Sequence, residues 1–208
     1  MKNLIAISSL ILVISSCTTP GQVQQESEDR FNSMTTESIE LCTSVTGQGD
    51  PLETIITFST KSCYTTENGI LRMKWNDQFI RGYVSKTSKS ITSLQVYNVI
   101  YTRQGTWIYP YQANYLINDK LITDDGVDIA SDVDCSSSDL YNSCLYKNDY
   151  GFDLDLEVFD EARRLKSNGE QLFNYRIKTK AGGDINRVFN VEEILGLESK
   201  MKRIIEGL

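Results

Sequence analysis

The chain has 208 residues, of which 40% are hydrophobic, 24% charged and 10% aromatic, the composition of an ordinary globular protein and not of a disordered or collagen-like one. Its 21 Lys and Arg stand against 28 Asp and Glu, a net charge of -7 that argues against nonspecific attraction to nucleic acid or to anionic headgroups. It contains no histidine, which excludes Ser-His-Asp and Cys-His nucleophiles, His-containing zinc sites and imidazole bases, and leaves carboxylate, Lys, Tyr or Cys chemistry.

The chain opens on a short basic start, Met1-Lys2-Asn3, and a run from Leu4 to Ile14 in which all residues but two serines are apolar. A bilayer-spanning helix needs about 20 residues, so this shorter run reads as a secretory signal over 1–16. It ends in Ile14-Ser15-Ser16-Cys17: an aliphatic residue, two small residues and a cysteine. Over these seventeen residues the chain resembles the lipobox of bacterial lipoproteins. The resemblance implies cleavage before Cys17, diacylglycerol on its thiol and a membrane anchor of two or three acyl chains such as palmitate; stable anchoring needs more than one chain. Thr18 stands where an aspartate retains enterobacterial lipoproteins in the inner membrane. The implied place is therefore the outer membrane of the cell envelope, with the body outside the cytoplasm, periplasmic or surface-exposed.

From Thr18 to about Ser38 the sequence is rich in Ser, Thr, Gln and Glu, with apolar residues at no regular spacing. It reads as a flexible tether, 17–40, ahead of one globular domain, 41–208. Beyond Cys17 four cysteines remain: Cys42, Cys63, Cys135 and Cys144. An even number in an exported chain points to disulfides. Three connectivities are open, and loop entropy favours Cys42 with Cys63 and Cys135 with Cys144. No pair has the CxxC spacing of a metal site, so no metal is expected there.

Most of the middle reads as strand. Leu71, Met73 and Trp75 alternate with Arg72 and Lys74, and Asn76-Asp77 supplies turn chemistry before Phe79 to Val84, predicting a hairpin that sets Met73 opposite Ile80. Ile91 to Tyr101 is apolar on both faces, which predicts a central strand. Trp107, Tyr109 and Tyr111 share strand parity within an aromatic-rich stretch and form a candidate binding patch for a sugar or a protein partner. Asp119, Asp124, Asp125, Asp128, Asp132 and Asp134 crowd the next segment; it reads as a solvated loop, with Ca²⁺ coordination the sharper alternative although no EF-hand spacing is present.

Asp153, Asp155 and Glu157 alternate with apolar residues, where paired carboxylates could run glycoside hydrolysis. Favourable charge at a helix start explains them without chemistry. That helix is predicted from Asp155 as N-cap to about Ser167, burying Val158, Phe159, Ala162 and Leu165. Phe173, Tyr175 and Ile177 predict a strand, Gly182-Gly183 a turn, and Ile185 to Phe189 the returning strand. Asn190 and Glu193 then have the form of a capping box ahead of an amphipathic helix with a stripe of Val191, Ile194, Leu195, Met201, Ile204, Ile205 and Leu208.

The expected fold is α+β, mainly β: a twisted antiparallel sheet or two-sheet sandwich with two late helices packed on it. The last eighty residues loosely resemble uncharacterised exported proteins of Gram-negative bacteria, a resemblance that carries no functional residues. The functional expectation is a non-enzymatic binding or scaffolding module on a lipid anchor, without cofactor and without nucleic acid, its partners being the membrane and another envelope protein or glycan. Two alternatives stand beside it: a carboxylate-dependent hydrolase of envelope glycans, and an inhibitor or immunity-like protein.

Overall fold

A strand with one covered face needs apolar residues at every second position, and that period runs through most of the folded chain. The computed structural model describes residues 31–64, 77–102, 107–135 and 144–208. The helices are α1 (Thr36–Cys42), α2 (Lys61–Tyr64), α3 (Val158–Ser167) and α4 (Val191–Glu206). The strands are β1 (Ser44–Thr46), β2 (Ile55–Ser59), β3 (Asp77–Ser85), β4 (Ser90–Thr102), β5 (Pro110–Ile117), β6 (Lys120–Asp124), β7 (Val127–Asp134), β8 (Leu145–Leu154), β9 (Leu172–Thr179) and β10 (Ile185–Asn190). They form a six-stranded sheet in the order β1-β2-β3-β4-β8-β7 and a four-stranded sheet in the order β10-β9-β5-β6. Every pairing is antiparallel. This is the expected architecture of two sheets with helices late in the chain.

The inner face of the large sheet is covered in two ways. At one end it meets the small sheet: Phe152 of β8 lies 6.1 Å from the Tyr115 ring of β5 and 5.4 Å from that of Tyr175 on β9. At the other end Met201 of α4 packs over Gly82 and Leu94. β4 lies between β3 and β8, with Leu94, Val96 and Ile100 buried inward and its other face half-covered, as its two-sided apolar pattern predicts. Phe173, Tyr175 and Ile177 of β9 point into the same core. Gly182 and Gly183, both at φ +85°, make the turn into β10 that their freedom from a Cβ permits.

The two late helices form with different boundaries. α3 buries Val158, Phe159, Ala162 and Leu165, the four residues its periodicity named. Its first helical residue is Val158, not one following Asp155; the Asp155 carboxylate instead accepts from the Glu157 amide at 2.9 Å and shapes the turn ahead of the helix. α4 starts at the predicted N-cap, with the Asn190 side chain accepting from the Glu192 amide at 2.9 Å in place of the expected capping-box bond. Its buried stripe includes Leu197, and Leu208 lies beyond the helix end, half in solvent. Glu193, fully buried, accepts from Thr60 Oγ1 and so links α4 to the end of β2.

Two expectations are corrected. The tether was expected to run through residue 40, yet the compact unit spans Met34–Leu208 and α1 belongs to it. Ile39 is buried against α4, where a Cβ on Gly196 would stand 2.6 Å from the Ile39 Cβ and 2.7 Å from the Thr36 carbonyl. Two turns with a Thr35–Ser38 capping box and one buried apolar residue are enough once a helix with a glycine groove receives them, a partnership that local periodicity does not display. Ile80, expected opposite Met73, also has its described neighbours elsewhere. Ile80 faces Val96 on β4, and on its other side Thr60 takes both its amide, at 2.9 Å, and its carbonyl, at 3.0 Å. Asp77, expected in a turn, is the first residue of β3, opposite Val99; Leu71 to Trp75 lie outside the described residues. Among the described residues no helix is long and apolar enough to cross a membrane.

Candidate interaction surface

The sequence Val-Asp-Ile-Ala-Ser-Asp-Val-Asp from Val127 to Asp134, expected as a solvated loop, is strand β7. Its alternation of β-branched and small polar residues suits a pleated edge more than the density of aspartates suggests. Among the described residues β7 pairs only with β8 and so forms one edge of the large sheet. The register shifts between Asp128 and Ala130, leaving Ile129 as an extra residue. Through that bulge Val127, Ala130, Asp132 and Asp134 share the outer face with Gly151, Asp149 and Lys147 of β8, while Asp128, Ser131 and Val133 share the inner face with Tyr150 and Asn148. Ile129 Cδ1 lies over Gly151, 2.9 Å from where a Cβ would be. The Cys135–Cys144 disulfide joins the end of β7 to the start of β8.

Most strand residues of a sandwich bury one face; β7 does not. Val127 is 66%, Ile129 48% and Val133 45% exposed. The Val133 amide donates to the carboxylate of Asp132 at 2.8 Å, so it points away from β8 along the open edge. Ser131, two residues earlier and in step with Val133, has its backbone groups on the same side.

The structure brings one of the three predicted patch aromatics to this hairpin. Trp107, half-buried, meets the Tyr146 ring of β8 edge-on, with centroids 5.0 Å apart, and Tyr146 is the cross-strand partner of Val133. Tyr109 and Tyr111 are exposed but do not share strand parity with Trp107. Tyr109 has φ +47° and Tyr111 sits at a register shift at the start of β5, so the backbone turns between the three. The Ile108 and Tyr109 carbonyls accept from Ala181 and Lys180, which fixes this turn on the end of β9.

The aspartates are dispersed by the fold. Asp119 is in the β5–β6 turn at φ +60°. Asp124 and Asp125 lie where the chain passes from the small sheet to the large one. Gly126 follows, and its amide donates to Tyr150 Oη at 3.2 Å; a Cβ there would fall 2.2 Å from that oxygen. Asp124 accepts from the Asp153 amide at 3.1 Å, Asp125 from Gln112, and Asp128 from Ser131 Oγ. Burial, with Asp153 and Asp125 adding repulsion, raises the Asp124 carboxyl above the ordinary carboxylate value. Burial likewise pushes Tyr115 up to about 12; its hydroxyl accepts from the Asp155 amide at 3.0 Å. Asp153 accepts from Gln95 Nε2 at 3.0 Å. These carboxylates hold backbone, amide and hydroxyl donors, and among the described residues no group of three acidic or cysteine side chains could hold a metal ion.

Three features were not read from the sequence. Inside the sandwich Tyr175 meets Asn98 Oδ1 at 2.7 Å and Gln78 Oε1 at 3.0 Å. One hydroxyl proton serves one of these oxygens, so the network closes when the Asn98 amide is turned to present Nδ2 to Tyr175. Arg187, opposite Tyr175 on β10, turns into this layer, and burial lowers its pKa. On the outer face of the large sheet Arg81 lies 4.3 Å from the Tyr97 ring centre and 5.4 Å from that of Phe79, the two rings stacked 5.1 Å apart. Ser199 and Lys202 have the S-x-x-K spacing of some acyl enzymes. They lie in α4, where Ser199 donates to Glu40 and Lys202 pairs with Glu198, so both serve helix packing.

The predicted disulfides are both formed, Cys42–Cys63 and Cys135–Cys144. Cys17 lies outside the described residues. No family model, no curated protein and no solved structure matches this chain.

Proposed function

We propose that this chain is a lipid-anchored protein of the bacterial envelope whose folded unit is a binding module and not an enzyme. The observation that carries the binding reading is β7, an eight-residue edge strand with nearly every side chain in solvent. A strand that buries so little contributes little to folding, so its exposed β-branched residues are available to a partner. The disulfide at the hairpin base supports this, because it holds a poorly packed edge in a fixed shape. The anchor is supported by Ile14-Ser15-Ser16-Cys17, and the two disulfides fit an oxidising compartment outside the cytoplasm.

Labelled palmitate is expected to enter the wild-type chain and not Cys17→Ala, which should also leave the membrane fraction. Absence of label with unchanged fractionation removes the anchor. Crosslinking from intact membranes, read by mass spectrometry, is expected to give adducts on 127–134 and 144–154. Adducts confined to other surfaces remove the hairpin from the reading, and turnover of an envelope polymer by the purified chain replaces the binding module with an enzyme.

A further inference from the structure

β7 has one paired side. Its other side presents the backbone groups of Ser131 and the carbonyl of Val133, whose amide is held by the Asp132 carboxylate, and has no strand beside it among the described residues. An edge of this kind is a template for one more strand, and main-chain hydrogen bonds then supply affinity while alternate side chains supply selectivity. The bulge at Ile129 and the aspartates are devices that keep sheets from joining indiscriminately. Here they are combined with three exposed β-branched residues and a covalent staple, which gives the edge a selective character.

The charge pattern says what it selects. Asp132 and Asp134 occupy successive outer-face positions at one end of β7, and Val127 and Ile129 provide apolar surface at the other. Lys147, the cross-strand neighbour of Asp132, is paired with Asp149 instead, so Asp132 keeps its charge toward the edge, where it holds the Val133 amide. A second copy of this chain, itself at -7, would bring aspartates against aspartates. We infer that β7 takes up an extended segment of another protein as a seventh, antiparallel strand, and that this segment carries Lys or Arg opposite Asp134 and Asp132 followed by apolar residues opposite Ile129 and Val127. The inference rests on the binding-module reading but not on the lipid anchor.

The test uses the full chain in detergent with its disulfides formed, and the peptide Thr-Lys-Thr-Lys-Thr-Val-Thr-Val-Thr as the probe, alongside the same peptide with Glu for Lys. The lysine peptide is expected to bind at least tenfold more tightly than the glutamate peptide, and raised salt should narrow that difference. Ser131→Pro removes an outward amide without a bond to β8. It should weaken the lysine peptide at least tenfold while the midpoint of thermal unfolding stays put. Asp132→Lys with Asp134→Lys should reverse the preference between the peptides, and this keeps the idea testable where the proline variant fails to fold. No binding of the lysine peptide at millimolar concentration, equal binding of the two peptides, or a dimer of the chain dissolved by Ser131→Pro would each overturn it. Failure here with palmitate still incorporated and crosslinks elsewhere leaves the anchored binding protein standing and removes only the strand-addition site.

Discussion

The large sheet has two edges, and the chain finishes them differently. β1 is three residues long, and directly ahead of it α1, docked on α4 through Ile39, is joined by Cys42–Cys63 to the segment that leaves β2. β7 is eight residues long, has one neighbour among the described residues, and is joined by Cys135–Cys144 to the strand it already pairs with. One edge is shortened and built into the helical layer; the other is kept long and open. Shortness and cover protect an edge without further chemistry, whereas a long open edge needs charge and a bulge. The contrast teaches that the two disulfides, alike in sequence, serve unlike purposes: the first joins separate layers and the second holds a hairpin.

Removing each disulfide breaks that comparison most strongly. In the chain-entropy relation the sequence separations of 21 and 9 give about 3.3 kcal/mol for Cys42–Cys63 and about 2.6 kcal/mol for Cys135–Cys144. Paired Cys→Ser variants followed by denaturant unfolding should rank in that order, and an equal or reversed ranking would show that β7 contributes more to the fold than its exposure suggests. Gly196→Ala comes next. Its new methyl meets the Thr36 carbonyl and Ile39 of α1, so overpacking of about 1–3 kcal/mol is expected, with faster hydrogen exchange in α1 and β1 and none in β7.

Smaller effects sharpen the other edge. Burial raises the Asp124 carboxyl in the folded chain above its ordinary value of 3.8, so its ionised form opposes folding. Asp124→Asn keeps an oxygen for the Asp153 amide and removes the charge. At pH 7 it should raise the midpoint of urea unfolding. As pH falls through the folded value toward the ordinary one, wild-type Asp124 becomes protonated in both states and the gain should fade; midpoints of urea unfolding across pH 3–7 measure it. Smallest of all, Val133→Thr should move stability by less than about 0.5 kcal/mol, because a side chain so exposed buries little. A larger loss would mean that Val133 is part of the core.

Elements whose own residues state their cover were legible in the sequence. β4 is apolar on both faces and is central; β9 alternates cleanly and β10 follows its glycines; α3 and α4 carry 3.6-residue stripes, α4 behind its Asn190 cap. What was misread depends on a neighbour. α1 has one buried apolar side chain and becomes part of the fold only through the groove at Gly196. β7 looked like a loop because six aspartates between residues 119 and 134 suggested solvent, and solvent is where its side chains are; its strand character comes from pairing with β8. Parity over Trp107, Tyr109 and Tyr111 failed because Tyr109 takes a positive φ and the β5–β9 register slips beside it.

By itself the sequence determined the class of fold, the absence of imidazole chemistry and the pairing of four cysteines that loop entropy favours. Each of these follows from composition, local period or short-range closure, which chain order alone expresses. The tertiary structure alone decided which strands lie at the edges, that β7 is one of them, and that Tyr146 joins Trp107 to Val133. Those facts come from pairing between distant segments, where the energy of a contact depends on what the rest of the chain has already covered.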